Sequence, residues 1–129
     1  MRRDPKDPRA HLALARAYTA AAAPQLATIE YLAVTRLDRT DPEANAALAL
    51  VALASGRPEE AVKLVDTALA AHPGHPEALY ARGIVRLMGL GQVEAGKQDL
   101  DAYLVAAPFG SHRAAVETLL AMIPRGATK

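Results

Sequence analysis

The chain has no cysteine, no tryptophan and a single phenylalanine. Without cysteine there can be no disulfide, no thiolate metal ligand and no cysteine nucleophile. The compartment stays open, because a cysteine-free chain is compatible with either redox environment. Aromatic residues make up 4% of the sequence, although 51% of it is hydrophobic. A core must therefore be built from Ala, Leu and Val, which suits close helix-on-helix contact better than a β-sandwich. Neither sign of charge dominates: 15 basic residues face 14 acidic ones, for a net charge of +1. Nucleic-acid binders usually carry a basic excess or stripe, so that class is disfavoured. No run approaches the roughly 20 apolar residues of a bilayer-spanning helix, so no direct membrane insertion by this segment is expected. The start, Met1-Arg2-Arg3-Asp4-Pro5, also lacks the apolar stretch of a secretory signal.

What is present is a beat. Asp7-Pro8, Asp41-Pro42 and His75-Pro76 recur at intervals of 34 residues. A fixed period of that size marks a repeat array rather than one irregular folded unit. In the first unit, Ala10 to Ala23 is rich in Ala with Leu12, Leu14 and Tyr18, good helix formers. Pro24 then restarts a helix through Leu26, Ile29, Leu32 and Leu37. The second unit predicts a helix from Pro42 to Ser55 that stops at Gly56, and another from Pro58 to the His72-Pro73-Gly74 break. The third predicts a helix from Pro76 to Met88, a break at Gly89-Leu90-Gly91, and a helix through Gly96, Leu100 and Leu104 to Pro108. A last amphipathic stretch begins at Ser111, a candidate N-cap, and carries Ala115, Val116, Leu119, Leu120 and Ile123.

These residues resemble the tetratricopeptide repeat family, whose pattern is a bulky residue, Leu-Gly, an aromatic, Ala-x-x-x-Phe and a final Pro. The second unit reads Asn45, Leu48-Ala49, Ala52, Gly56, Ala61-x-x-x-Val65, Ala68, Pro73. The first reads His11, Leu14-Ala15, Tyr18, Ala27-x-x-x-Tyr31, with Arg39 in place of the proline. The third matches through Leu79, Gly83, Gly96-x-x-x-Leu100 and Pro108 after one extra residue near Gly89. The resemblance covers residues 7 to 108. It implies an all-α, right-handed α-solenoid of three helix-turn-helix hairpins, over about 7–40, 41–74 and 75–108, with a capping helix at about 111–124. The expectation is one such domain over 1–129, and residues 2–8 occupy the register of Arg36 to Pro42. That register suggests a fragment of a longer protein beginning at the tail of a preceding helix. In this register Ala15, Ala49 and Gly83 face Ala27, Ala61 and Gly96 where paired helices cross closely. A larger side chain there would overpack at a cost of about 1–3 kcal/mol. Stacked hairpins need a cap, and Val116, Leu119, Leu120 and Ile123 are expected to supply it, with His112, Arg113 and Glu117 toward water.

In the family the first helix of each unit lines a concave groove that receives an extended or helical peptide. The resemblance places Arg9, Leu12, Arg16, Leu50, Leu53, Tyr80, Ile84 and Leu87 there, an apolar floor with arginines toward its N-terminal end. Such a trough suits an amphipathic helix with an acidic residue near Arg9 or Arg16. The alternative is that some of these positions are buried by the chain's own neighbours or by a second copy. The carboxylate clamp of some chaperone adaptors falls on Leu12, Arg16, Ala47, Glu77 and Ala81, where only Arg16 is basic. A chaperone tail is therefore not the expected ligand. A narrower resemblance is to the extracytoplasmic repeat domains of membrane-anchored cytochrome c maturation factors, which hold an apocytochrome's C-terminal helix.

No catalytic residue is nominated, because the acids have no nucleophile, histidine partner or phosphate loop beside them. No metal or cofactor is expected either. His72 and His75 sit in an inter-repeat turn without further ligands, and His11 reads as a packing residue. Glu59 and Glu60 are explained by the helix dipole. Arg82, where the pattern wants a buried leucine, should pair with Asp66, Asp99 or Asp101. The reading is a non-catalytic scaffold that binds another protein or peptide. Its alternative is a self-association module that forms a homodimer through the groove or the N-terminal face. Cytoplasmic and extracytoplasmic placement both remain open.

Overall fold

Five helices begin at a proline, Pro8, Pro24, Pro42, Pro58 and Pro76. Proline suits the first helical turn, where its missing N–H would have no partner and its φ is already helical. The computed structural model describes residues 7–124. They form α1 (Pro8–Ala20), α2 (Pro24–Leu37), α3 (Pro42–Ala54), α4 (Pro58–Ala71), α5 (Pro76–Ile84), a π-helical turn (Val85–Gly89), α6 (Val93–Ala106) and α7 (Arg113–Met122). Among the described residues there is no strand. Helices α1–α2, α3–α4 and α5–α6 pair as three hairpins, and α7 packs on α6. The architecture is the all-α, right-handed solenoid expected from the repeat. Residues 1–6 and 125–129 lie outside the described residues, and with them most of the 2–8 stretch read as the tail of a preceding helix. Asp7 and Asp41 cap α1 and α3, each accepting a backbone N–H at 2.9 Å, from Arg9 and Ala44. The third member of that series, His75, makes no such bond.

The turn inside each hairpin repeats one geometry. Ala22, Gly56 and Gly91 have φ of +57°, +78° and +67°. This left-handed residue lets the next N–H reach back and satisfy a carbonyl in the last helical turn. Ala23 N donates to Tyr18 O at 2.8 Å, and Arg57 N donates to Ala52 O at 2.9 Å. In the third hairpin Gln92 N reaches Arg86 O at 2.7 Å, one residue further back. The additional residue of the third unit is therefore absorbed inside the helix, where Leu90 N bonds to Val85 O at 3.1 Å in the π pattern. The helix continues to Gly89 by widening rather than by looping out. That widening presses Gly89 onto the second hairpin, where an added Cβ would lie 2.6 Å from Leu53 Cδ1 and 2.9 Å from Pro58 Cβ. Helix α1 ends at Ala20, short of the expected Ala23, because Ala22 takes the left-handed position.

The small residues sit at the helix crossings. Ala15, Ala27, Ala49, Ala61, Gly83 and Gly96 are all buried. An added Cβ on Gly83 would meet Leu100 Cδ2 at 2.6 Å, and one on Gly96 would meet Gly83 O and Leu87 N at 3.0 Å. Three apolar clusters follow the stack. Val34, Ala44 and Leu48 join hairpin one to α3, and Ala46, Ala49, Val65, Ala81 and Val85 fill the middle. Leu79, Ile84, Leu100, Tyr103 and Val116 fill the C-terminal end. Val116 of the cap is fully buried, and Leu119 and Leu120 pack against the same cluster.

Candidate functional site

The 34-residue register gives α1, α3 and α5 equivalent places in successive hairpins, with α5 packed along α3, and one side-chain series comes from each. Leu12, Leu50, Leu53, Tyr80 and Leu87 are half-buried, while Arg9 and Arg16 are exposed. Ile84 is a correction to the expected groove. Only 8% of it is exposed, because it is packed in the C-terminal core cluster with Leu100, Tyr103 and Val116. Tyr80 is partly covered by the chain itself. Its ring stacks on His112 with centroids 3.8 Å apart and planes 4° apart, and it tilts against Tyr103. Burial pushes the Tyr80 hydroxyl above its ordinary pKa, and Glu77 adds to the effect.

His112 is thus not the water-facing residue expected from the sequence. It is half-buried, its Nε2 lies 3.1 Å from a Glu77 carboxylate oxygen, and its backbone N–H donates to the Tyr103 hydroxyl at 2.9 Å. His112, not Ser111, is the residue that precedes the first turn of α7, and it caps with no side-chain bond. A second histidine–carboxylate pair holds the first hairpin, with His11 Nδ1 and Glu30 Oε1 2.7 Å apart and both nearly buried. Glu30 carries no signal of this pairing in the sequence, because its partner lies on the other helix of the hairpin.

The arginines of α1, α5 and the π-helical turn are engaged by carboxylates. Arg16 donates to both carboxylate oxygens of Glu43, at 2.6 and 2.8 Å, across from α1 to α3. That hydrogen-bonded pairing raises the guanidinium pKa. Arg9 folds back on Asp7, and this hydrogen bonding lowers the Asp7 carboxyl below its usual range. Arg82 reaches Asp99 by a two-pronged contact at 2.9 and 3.0 Å and Asp66 at 3.0 Å, whereas Asp101 is exposed. Arg86 joins the same Asp99 at 2.9 Å. Burial alone would depress Arg82, but the bonds to Asp99 and Asp66 outweigh it and hold the group above its ordinary value.

Beside Arg16 and Glu43 lies an apolar cleft of about 500 Å³. Thr19 and Ala22 of the first unit, Ala27, Thr28 and Tyr31 of α2, and Ala47, Leu50 and Val51 of α3 form its walls. Burial raises the pKa of the Tyr31 hydroxyl in this wall, with Thr19 as its hydrogen-bond partner acting against that rise. No charged side chain lines the cleft. Among the described residues no group of three His, Asp or Glu could hold a metal ion, and no helix is long and apolar enough to cross a membrane.

The sequence pattern of the tetratricopeptide repeat matches residues 46–111. Solved structures share the fold. The first repeat domain of Spaghetti (RPAP3), bound to the HSP90 peptide SRMEEVD, is 18% identical, with a TM-score of 0.67 over 92% of this chain and 96% of that one. The repeat domain of Arabidopsis OM64 is 17% identical, with a TM-score of 0.70 over 90% of this chain and 96% of that one. The second repeat domain of human RPAP3, in complex with the HSP70 peptide SGPTIEEVD, is 19% identical, with a TM-score of 0.64 over 91% of this chain and all of that one. No curated protein sequence matches the chain.

Proposed function

Because the chain belongs to the tetratricopeptide repeat family, we propose that it is a non-catalytic protein–protein interaction scaffold. The face built by α1, α3 and α5 takes a peptide or amphipathic helix. The observation that carries this reading is the uncharged cleft lined by Leu50 and Val51, together with the half-buried apolar residues Leu12, Leu53, Tyr80 and Leu87 in the same helix series. Apolar side chains presented at helical spacing can fill such a surface, and an acidic residue on the same ligand would find the exposed Arg9 at its N-terminal end. Relatives of the same fold hold acidic chaperone tails. Here the five positions of that clamp are Leu12, Arg16, Ala47, Glu77 and Ala81. Arg16, the one base among them, is already bonded to Glu43, and Ala81 is buried. An apolar helical ligand therefore fits better than an acidic tail. The holding of an apocytochrome helix by a maturation factor is one case of that class. The test is selection of peptides from a random displayed library, followed by titration against Arg9→Glu with Val51→Glu. Binding is expected to fall at least tenfold while helicity by circular dichroism is retained. Unchanged affinity in the folded double variant would remove this face as the site.

Self-association is the second reading, and one observation favours it. Leu26, Ile29 and Leu32 of α2 are exposed apolar residues, whereas the same register positions of α4 are Glu60, Lys63 and Asp66. Light scattering across a concentration series separates the two. A monomer at high micromolar concentration would sink the homodimer.

A further inference from the structure

The first two hairpins are not stacked as the second and third are. Helix α5 packs along α3, but α1 comes close to α3 at almost no point. The residues that should meet show why. Between α3 and α5, Leu50 and Leu53 press on the cluster that contains Ala81 and Val85. One unit earlier in the register, Arg16 and Thr19 stand in place of Leu50 and Leu53, opposite Ala47 and Val51. A charged side chain and a short one cannot fill that seam. Val51 is consequently 39% exposed, while Val85, its equivalent, is fully buried. The cleft of about 500 Å³ is the unfilled seam.

What remains between the hairpins is unequal. On one side α2 packs on α3 through Val34, Ala44 and Leu48, a continuous buried contact. On the other side the bridge is Arg16 to Glu43, two bonds between side chains that are 60% and 27% exposed. A packed contact along one edge, a charged clasp on the other and an open cleft beside it make a hinge. The geometry points to a conformational device: the first hairpin rotates about the α2–α3 contact, and the Arg16–Glu43 clasp sets how far the cleft opens. A packed edge holds its shape, while an exposed ion pair contributes little and weakens as salt rises. Closure around a hinge at a few element-terminal residues is a common way to admit or hold a ligand. The inference stands whether or not the α1–α3–α5 face binds a peptide.

The absence of cysteine makes the test direct, because spin labels can be placed without removing native thiols. Labels at Ala21→Cys and Ser55→Cys report the α1–α3 separation, and labels at Ser55→Cys and Met88→Cys report α3–α5. In pulsed dipolar spectra, Arg16→Ala and Glu43→Ala should each lengthen and broaden the first distance by about 2 Å or more, the scale of a rigid-body displacement. The second distance should not move. The exchange Arg16→Glu with Glu43→Arg should restore the narrow first distance. If a single variant failed to fold, the parent protein in 1 M salt would supply the same loosening. An unchanged first distance in the variants and in salt would overturn the clasp. So would equal broadening of both distances, or an exchange that restores nothing.

Discussion

Asp99 carries the most consequential polar contacts of the fold. It is 4% exposed and accepts three bonds, two from Arg82 and one from Arg86. Replacing it with alanine removes all three and leaves two guanidiniums, each about a quarter exposed, facing a vacated apolar crossing. Breaking a buried pair by deleting one partner costs about 3–5 kcal/mol when the survivor is sealed from water. Here Arg82 keeps Asp66 and both cations can turn partly outward, so the expected loss is about 2–3 kcal/mol. For a chain of this size that corresponds to a fall in Tm of roughly 8–15 °C. Asp66→Ala is the internal comparison. Asp66 is half exposed and holds Arg82 by one bond, so its loss should cost no more than about 1 kcal/mol. Urea denaturation followed by helical circular dichroism measures both, with an unchanged m-value confirming that only stability moved. If Asp99→Ala cost as little as Asp66→Ala, the network would be ornamental and the reasoning from burial would fail.

Other consequences are open to the same assays. Ala22→Gly should stabilise the protein by about 1 kcal/mol, because a non-glycine residue held at φ +57° bears a cost that Gly56 and Gly91 avoid. A drop in Tm would mean that the first turn is not the equivalent of the others. Gly96→Ala should destabilise by about 1–2 kcal/mol despite the helix propensity of alanine, since its Cβ would meet backbone atoms that cannot yield. Greater stability in that variant would show that the crossing can open. His112→Ala removes the ring stacked on Tyr80 and should lower the protection of α7 amides against hydrogen exchange before that of α3 or α4. Equal protection throughout would show that Val116, Leu119 and Leu120 hold the cap without the ring stack.

The helical hairpins were legible because proline announces most of the helix starts. Pro24, Pro42, Pro58 and Pro76 open helices where the sequence places them. The crossings at Ala15, Ala49 and Gly83 were equally readable, since only small residues recur there. Three features were not. The Val85–Gly89 turn hides because its residues are ordinary helix formers, and only the hydrogen-bond spacing shows where the extra one went. Ile84 follows Leu50 in the register, but the last hairpin meets a cap instead of another full unit, and Ile84 is buried in the cluster that Val116 joins. His112 and Glu77 are separated by a whole unit, and a stack on Tyr80 leaves no trace in local composition. The cleft escaped for a similar reason. Arg16 looked like a ligand-facing base, and its contact with Glu43 across an unfilled seam depends on how two hairpins lean together.

The measurement that bears most directly on the scaffold reading is an amide chemical-shift map of the folded domain titrated with a selected peptide. Perturbations should concentrate at Leu12, Arg16, Leu50, Val51, Leu53, Tyr80 and Leu87, and spare the outer positions Glu60, Lys63 and Gln98. A map centred on α2, α4 and α6 would place binding on the opposite face and contradict the account.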